Sequence, residues 1–409
     1  MECLDIYQTR CFCWLEKMCM TAAMPIITDT VALADFCKQL AKSTYVTVDT
    51  EFMREKTYWP QLCLVQLADD DKALVIDASA EGIDLSPLFE LMANKKVLKV
   101  FHAARQDLEI FYKLAGALPT PLFDTQVAAM VCGFGESVGY ETLVNKLVGE
   151  QVDKSSRFTD WSHRPLTEKQ INYALADVTH LRPIYEKLEA KLVESGRHEW
   201  LVEELAKLTD ESIYQFSPRE AWRRVKARNP KPRFLAVLRE ISAWRETEAQ
   251  TRDLPRNHVL RDEALVEIAH HTPKNVKELA RTRGLGQRLA EGSAGKQLLQ
   301  AVQAGLDLPD DEYPQVPRRP NLPRGIGPVT DLLKVLLKMK CEQQEVAQKL
   351  IANGDDIEKI AAYGEQADVP ALAGWRRQLF GEDALNLRNS KLALVINGQA
   401  LELVEIEDN

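Results

Sequence analysis

The chain has 409 residues, 45% of them hydrophobic and 28% charged, which is too long for one ordinary core and fits a globular protein of two or three domains. No apolar run approaches the roughly 20 residues a membrane-spanning helix needs, so a helical membrane protein is excluded. The net charge of −9 argues at first against a polyanionic partner, but residues 210–305 hold 18 Lys and Arg against 12 Asp and Glu, an excess of six that leaves −15 for the remainder. A basic module joined to an acidic one suits a protein that holds a polyanion with one part and binds metal with the other. A solvated helical surface is the plainer reading of the same asymmetry.

Residues 1–23 hold Cys3, Cys11, Cys13 and Cys19, half of the eight cysteines. They lack the long apolar stretch and basic start of a secretory signal. Cys11 and Cys13 are one residue apart, closer than zinc pairs usually stand. The expectation is that Met24 is the natural start and the upstream codons are a translated leader. Cys37, Cys63, Cys132 and Cys341 have no framework spacing, which implies reduced, buried thiols in a cytoplasmic protein.

From Thr28 to Leu205 strands and helices alternate. Tyr45-Val-Thr-Val-Asp49 is β-branched and reads as a strand. Leu62–Ala68 and Ala73–Asp77 follow, separated by the polar turn Asp69–Lys72, and the short connections predict three neighbouring antiparallel strands. Leu85–Met92 reads as a helix, Val97–Phe101 as a strand and Ala104–Leu114 as an amphipathic helix. A helical run is expected from Glu168 to about Leu188. This is an α/β layout with a mixed sheet. Beyond Glu211 residues 212–305 read as helices, punctuated at Asn229-Pro-Lys-Pro232, Leu254-Pro255 and Gly284-Leu-Gly286. Six prolines between Pro309 and Pro328 predict a linker across 306–328. Further helices are expected from Val329 to about Phe380, then a hairpin of Leu392–Ile396 and Leu401–Val404 joined through Asn397-Gly398.

Within this frame, acids stand where chemistry could use them. Asp49 and Glu51 end the first strand, two residues apart and so on one side of it. Carboxylates pressed together repel, and one takes up a proton unless a cation neutralises both. Hard oxygen ligands of this kind suit Mg²⁺ or Mn²⁺. Asp107 falls in an early helical turn, where the helix dipole favours an acid whatever its role. Tyr173 and Asp177, four residues apart, share a helix face. Taken singly, each admits a structural reading: solvated acids at a strand end, a dipole-stabilised aspartate, a core tyrosine.

Order and surroundings make the set specific. Asp-Thr-Glu-Phe-Met-Arg-Glu-Lys-Thr-Tyr-Trp-Pro (49–60), Val-Phe-His-Ala-Ala-Arg-Gln-Asp-Leu-Glu-Ile-Phe (100–111), Asp-Trp-Ser-His-Arg-Pro-Leu (160–166) and Tyr-Ala-Leu-Ala-Asp (173–177) resemble the motifs of the DEDD exonuclease superfamily. The resemblance is to its tyrosine-bearing branch and within it to the ribonuclease D family, and it covers residues 24 to about 305. It implies a ribonuclease H-like exonuclease domain over 24–208 that holds two divalent ions. Carried over by position, Asp49, Glu51 and Asp177 would hold the ion that activates water. Asp49 would bridge to a second ion, completed by Asp107. Tyr173 would orient the attacking water, because a phenol is a poor base at neutral pH. His102, Trp161 and Arg164 are weaker candidates for substrate contact. Gln66 reads as structural.

Residues 212–305 resemble an HRDC domain, a helical bundle that commonly binds nucleic acid. The basic excess falls there, densest at Arg223, Arg224, Lys226, Arg228, Lys231 and Arg233. Such phosphate contacts would add affinity without sequence choice. Residues 329–409 are expected to hold a second, diverged copy and a tail. The resemblance implies a monomeric enzyme that trims RNA from the 3′ end to 5′-mononucleotides, with 3′-extended tRNA precursors as substrate. The competing readings are a 3′→5′ DNA exonuclease and a catalytically silent RNA-binding adaptor.

Overall fold

The computed structural model describes residues 26–153, 155–156, 159–228, 230–315 and 322–406. Residues 1–25, on which the expected leader falls, Asn229 and the middle of the expected proline-rich linker lie outside the described residues. Two compact units form, one of the chain up to Phe52 together with Leu62–Leu205, the other of Met53–Gln61 together with Ala206 onward.

The first unit is built on a six-stranded mixed sheet. Its strands are β1 (Ile26–Ile27), β2 (Tyr45–Met53), β3 (Gln61–Ala68), β4 (Ala73–Asp77), β5 (Leu98–Phe101) and β6 (Leu122–Asp124), in the order β1-β4-β3-β2-β5-β6. β3 and β4 are antiparallel neighbours, as the short turn at Asp69–Lys72 requires. β5 lies parallel to β2 and β6 parallel to β5. The edge strands β1 and β6 were not expected, since two or three residues carry no readable alternation. Val46, Thr47 and Val48 are all fully buried. A strand covered on both faces reads as a continuous apolar run, which is why Tyr45–Val48 is so rich in β-branched residues.

Helices α1 (Thr30–Leu40), α2 (Ser86–Ala93), α3 (Arg105–Ala115), α4 (Thr125–Val131) and α5 (Tyr140–Leu143) precede the pair α6 (Glu168–Thr179) and α7 (Leu181–Ser195). The single helical run expected from Glu168 to Leu188 is therefore corrected to two helices that break at His180. Pro183 accounts for the break. It has no N–H to offer, and its ring would clash with the Thr179 carbonyl one turn back. A capping box starts α6, with Gln170 N–H donating to Thr167 Oγ1 and Thr167 N–H to Gln170 Oε1.

The second unit is helical until its end. Its principal helices are α8 (Pro232–Thr251), α9 (Asp262–His271), α10 (Ser293–Leu306), α11 (Gly327–Gln343), α12 (Gly354–Tyr363) and α13 (Glu382–Arg388). Leu235, Leu238 and Ile241 of α8 share a core with Leu265 and Ile268 of α9 and with Leu298 and Val302 of α10. At Gly305 a Cβ would stand 2.6 Å from Val237 Cα, so α10 can approach α8 this closely only with glycine there. The closing hairpin forms as β7 (Leu392–Asn397) and β8 (Ala400–Glu405), with Asn397 opposite Ala400. Its turn is Gly398-Gln399, one residue later than expected, and Gly398 supplies the positive φ of +63°. Cys37, Cys63, Cys132 and Cys341 are free and buried. Among the described residues no helix is long and apolar enough to cross a membrane.

Candidate active site

Strand β2 delivers the first two carboxylates. Thr47, Asp49 and Glu51 alternate onto one face. Buried Thr47 donates its hydroxyl to the Val178 carbonyl at 2.8 Å, which fastens that face to α6. Asp177, the residue before Val178, then meets Asp49 and Glu51. One carboxylate oxygen from each of the three lies within 4.8 Å of the others.

Asp107 is held by the strand residue between the first two acids. Thr50, between Asp49 and Glu51, donates its hydroxyl to Asp107 Oδ1. Asp107 is buried in the first turn of α3, and the turn that leads into α3 is itself braced. Asp124 accepts from the backbone N–H groups of Ala103 at 3.2 Å and Ala104 at 2.8 Å. Ala103 adopts a φ of +56°, a strained setting that this carboxylate sustains. Asp107 stands beside the three clustered acids, near enough for its charge to act on Glu51 and for that of Asp49 to act on it.

The acids disturb one another strongly. Burial, and then the charge of Asp177, raises the Asp49 carboxyl well above the usual range. Burial and then Asp49 do the same to Asp107. Glu51 is pushed up to about 10 by burial, followed by Asp49, Asp177 and Asp107. Four acids that repel in this way demand either protons or a cation. An all-oxygen donor set fits a hard divalent ion such as Mg²⁺ or Mn²⁺.

Tyr173, one helical turn before Asp177, hydrogen-bonds its carboxylate. Burial and the charges of Asp177, Glu51 and Asp49 raise the phenol's pKa, so it stays protonated. Trp161 is buried with its ring centroid 6.0 Å from that of Tyr173. Arg164 is engaged elsewhere: its Nε and Nη2 each donate to Asp77 at 2.6 Å, and Nη1 donates to the Trp161 carbonyl at 2.7 Å. The arginine thereby positions Trp161. His102 Nδ1 lies 3.0 Å from Thr125 Oγ1, whose own hydrogen goes to the Phe101 carbonyl. The threonine oxygen must therefore accept from Nδ1–H, which leaves Nε2 as an acceptor. Burial lowers the pKa of His102 against the opposing pull of Asp124, which favours the neutral ring.

Three supporting residues escaped the sequence reading. Thr47 and Asp124 act as described above. Tyr140 donates its buried hydroxyl to the carbonyls of Ala176, at 3.1 Å, and Asp177, at 2.6 Å, and its ring lies 5.5 Å from that of His102. Gln66 is fully buried on β3, and its amide has no partner among the described residues. Arg223 lies in the second unit and is exposed, paired with Glu220 and set over the Trp222 ring. Arg224 lies over Phe216.

Residues 24–193 match the family model for 3′-5′ exonucleases, and residues 234–302 match the HRDC domain. Fold and cleft together define an exonuclease of the DEDD type that carries an HRDC domain. A ribonuclease D of Nitrobacter hamburgensis is 51% identical over 382 residues, covering 93% of this chain and all of that protein. One from Granulibacter bethesdensis is 49% identical over 380 residues, covering 93% and 96%. The crystal structure of Escherichia coli RNase D, an exoribonuclease involved in structured RNA processing, superposes with a TM-score of 0.77 at 33% identity, over 90% of this chain and 99% of that one. The chain belongs to the ribonuclease D family of 3′→5′ exoribonucleases.

Proposed function

We propose that Asp49, Glu51 and Asp177 hold one divalent ion, Mg²⁺ or Mn²⁺, and that Asp49 and Asp107 serve a second. When bound, such ions supply Lewis-acid chemistry, making water acidic near neutral pH and stabilising charge on a leaving 3′ oxygen. The observation that carries this reading is the convergence of three carboxylate oxygens within 4.8 Å.

The remaining roles belong to the chain's own groups. Tyr173 keeps its proton and orients the attacking water, since a phenol raised by burial and by three neighbouring acids is no base at neutral pH. Tyr140 and Thr47 hold the end of α6 through its carbonyls, which fixes Asp177. His102, neutral and with Nε2 left as an acceptor, takes a hydrogen bond from a sugar hydroxyl of the terminal nucleotide. Trp161, set by Arg164, shapes the wall beside Tyr173. The products are 5′-mononucleotides. The substrate is the 3′ extension of precursor tRNA, a choice supported by the ribonuclease D name of the relatives. The enzyme acts as a cytoplasmic monomer. Its second unit comprises an HRDC domain over 212–305 and a diverged copy within 329–409, divided at 306–328, with Arg223 and Arg224 in contact with phosphate.

Incubating the protein with 3′-extended tRNA or single-stranded DNA, with Mg²⁺ or Mn²⁺, tests the proposal. Wild type should shorten the RNA one nucleotide at a time, and Asp49→Asn should not. Equal activity of the variant would refute the site assignment, and a preference for DNA would refute the substrate.

A further inference from the structure

The second unit contains a pocket of about 370 Å³ whose wall holds none of the five catalytic candidates. Arg54 and Thr57 of the 53–61 segment line it, with Arg224, Arg245, Arg256 and Asn257. One carboxylate, Asp262, also lines it, and Glu246 is paired with Arg256. Four guanidiniums thus share this wall with a single lining carboxylate.

The charges are braced. Arg256 Nε donates to Glu246 at 2.6 Å and Nη2 to the Tyr58 hydroxyl at 2.8 Å. The Tyr58 hydroxyl in turn donates to Glu246. The 53–61 segment is held by the Tyr58 and Trp59 N–H groups, both donating to Asp253 Oδ1 at 3.0 Å. Arg245 is 2% exposed. Its Nη1 donates to the Leu260 carbonyl at 2.9 Å and to Asp262 at 2.6 Å, while its Nε is buried without a partner among the described residues. Arg224 stands 5.3 Å over the Phe216 ring and forms no ion pair among the described residues.

A guanidinium that keeps donors to spare in a fixed plane suits phosphate oxygens, and a buried N–H without an acceptor is costly. Like charges gathered in one pocket favour an anion and reject cations and apolar groups. In the chain, Arg54 follows Glu51 by three residues. We propose that the pocket is a binding site for a backbone phosphate of the RNA strand. The source of the phosphate rests on the exoribonuclease reading; the anion site itself does not.

The test is equilibrium binding of a short fluorescent oligoadenylate to the full-length protein in EDTA, across a salt series, for wild type and Arg54→Ala/Arg224→Ala. The Kd should rise roughly tenfold. The slope of log affinity against log salt should become shallower by about 0.7 for each phosphate that the variant no longer neutralises. Lys38→Ala, at an exposed lysine of α1 outside the pocket, should change neither. Circular dichroism checks folding, and Arg224→Lys alone, which keeps the charge but not the planar fork, should keep the slope and recover part of the affinity. Thermal unfolding with inorganic phosphate separates the sources. If phosphate stabilises wild type but not the double variant while both bind RNA equally, the site takes a free anion and the RNA assignment falls. If neither RNA affinity nor the phosphate response depends on Arg54 and Arg224, the anion site falls. No hydrolysis is read, so loss of the exoribonuclease reading would appear separately, as intact RNA when Mg²⁺ is supplied.

Discussion

The carboxylate cleft of the first unit and the arginine pocket of the second handle crowded charge in opposite ways. In the cleft, Asp49, Glu51 and Asp177 face one another within 4.8 Å, and burial together with neighbouring acids raises the carboxyls of Asp49 and Glu51. In the pocket, Arg256 is braced by Glu246 and Tyr58, Arg245 by Asp262, and Arg224 by the Phe216 ring. A site of unbalanced acids is completed by a small soluble cation. A site of braced cations is already rigid, and it suits an anion that arrives on a polymer. Under the proposed roles, catalysis and grip follow separate electrostatic rules and should fail separately.

The largest effect bearing on this separation comes from Asp49→Asn. Losing a ligand for ions worth several kcal/mol in the transition state should slow RNA trimming on the order of 10³-fold. RNA affinity in EDTA should stay within about twofold, as a change larger than the roughly tenfold expected for the arginine pair would merge the two sites. Tyr173→Phe keeps the ring beside Trp161 and removes only the hydroxyl. Single-turnover rates should fall about 10²-fold with KM unchanged, the mark of lost orientation. A rise in KM alone would make the tyrosine a binding group.

Two smaller effects refine the contrast. Glu51 is pushed up to about 10, above its unfolded value, so its neutral form favours the fold. That stability is fully present below the unfolded pKa, near 4.5, and declines as pH rises toward 10. In EDTA, wild-type Tm should therefore fall between about pH 6 and 9 more than the Tm of Glu51→Gln, and Mg²⁺ should narrow the gap. Identical slopes for the two proteins would show that the repulsion is not felt. Thr47→Val leaves the Val178 carbonyl without its buried donor. Urea unfolding should register a loss of about 1–2 kcal/mol, together with a drop in kcat that a remote core change would not cause.

Much of the cleft was legible because each acid obeys a local rule. Asp49 and Glu51 are two apart on a strand, Asp107 lies in the first turn of a helix, and Tyr173 and Asp177 are four apart on another. What holds them was not legible. Thr47 reaches Val178 across 131 residues and Tyr140 reaches Asp177 across 37, and no spacing rule spans such distances. The break at His180 was readable from Pro183. The arginine pocket was half visible, as a run of basic residues around Arg224. That Arg54, Thr57 and Arg256 join it depends on Tyr58 meeting Glu246 across 188 residues.

The proposed chemistry rests on Asp49, Glu51 and Asp177 forming one cation site, and a titration with Mn²⁺ followed by electron paramagnetic resonance reads that site without any turnover. Wild type should take up Mn²⁺ at a site that Mg²⁺ competes for, and Asp177→Asn should lose it while remaining folded. Equal uptake by the two proteins would show that the three carboxylates do not form a cation site.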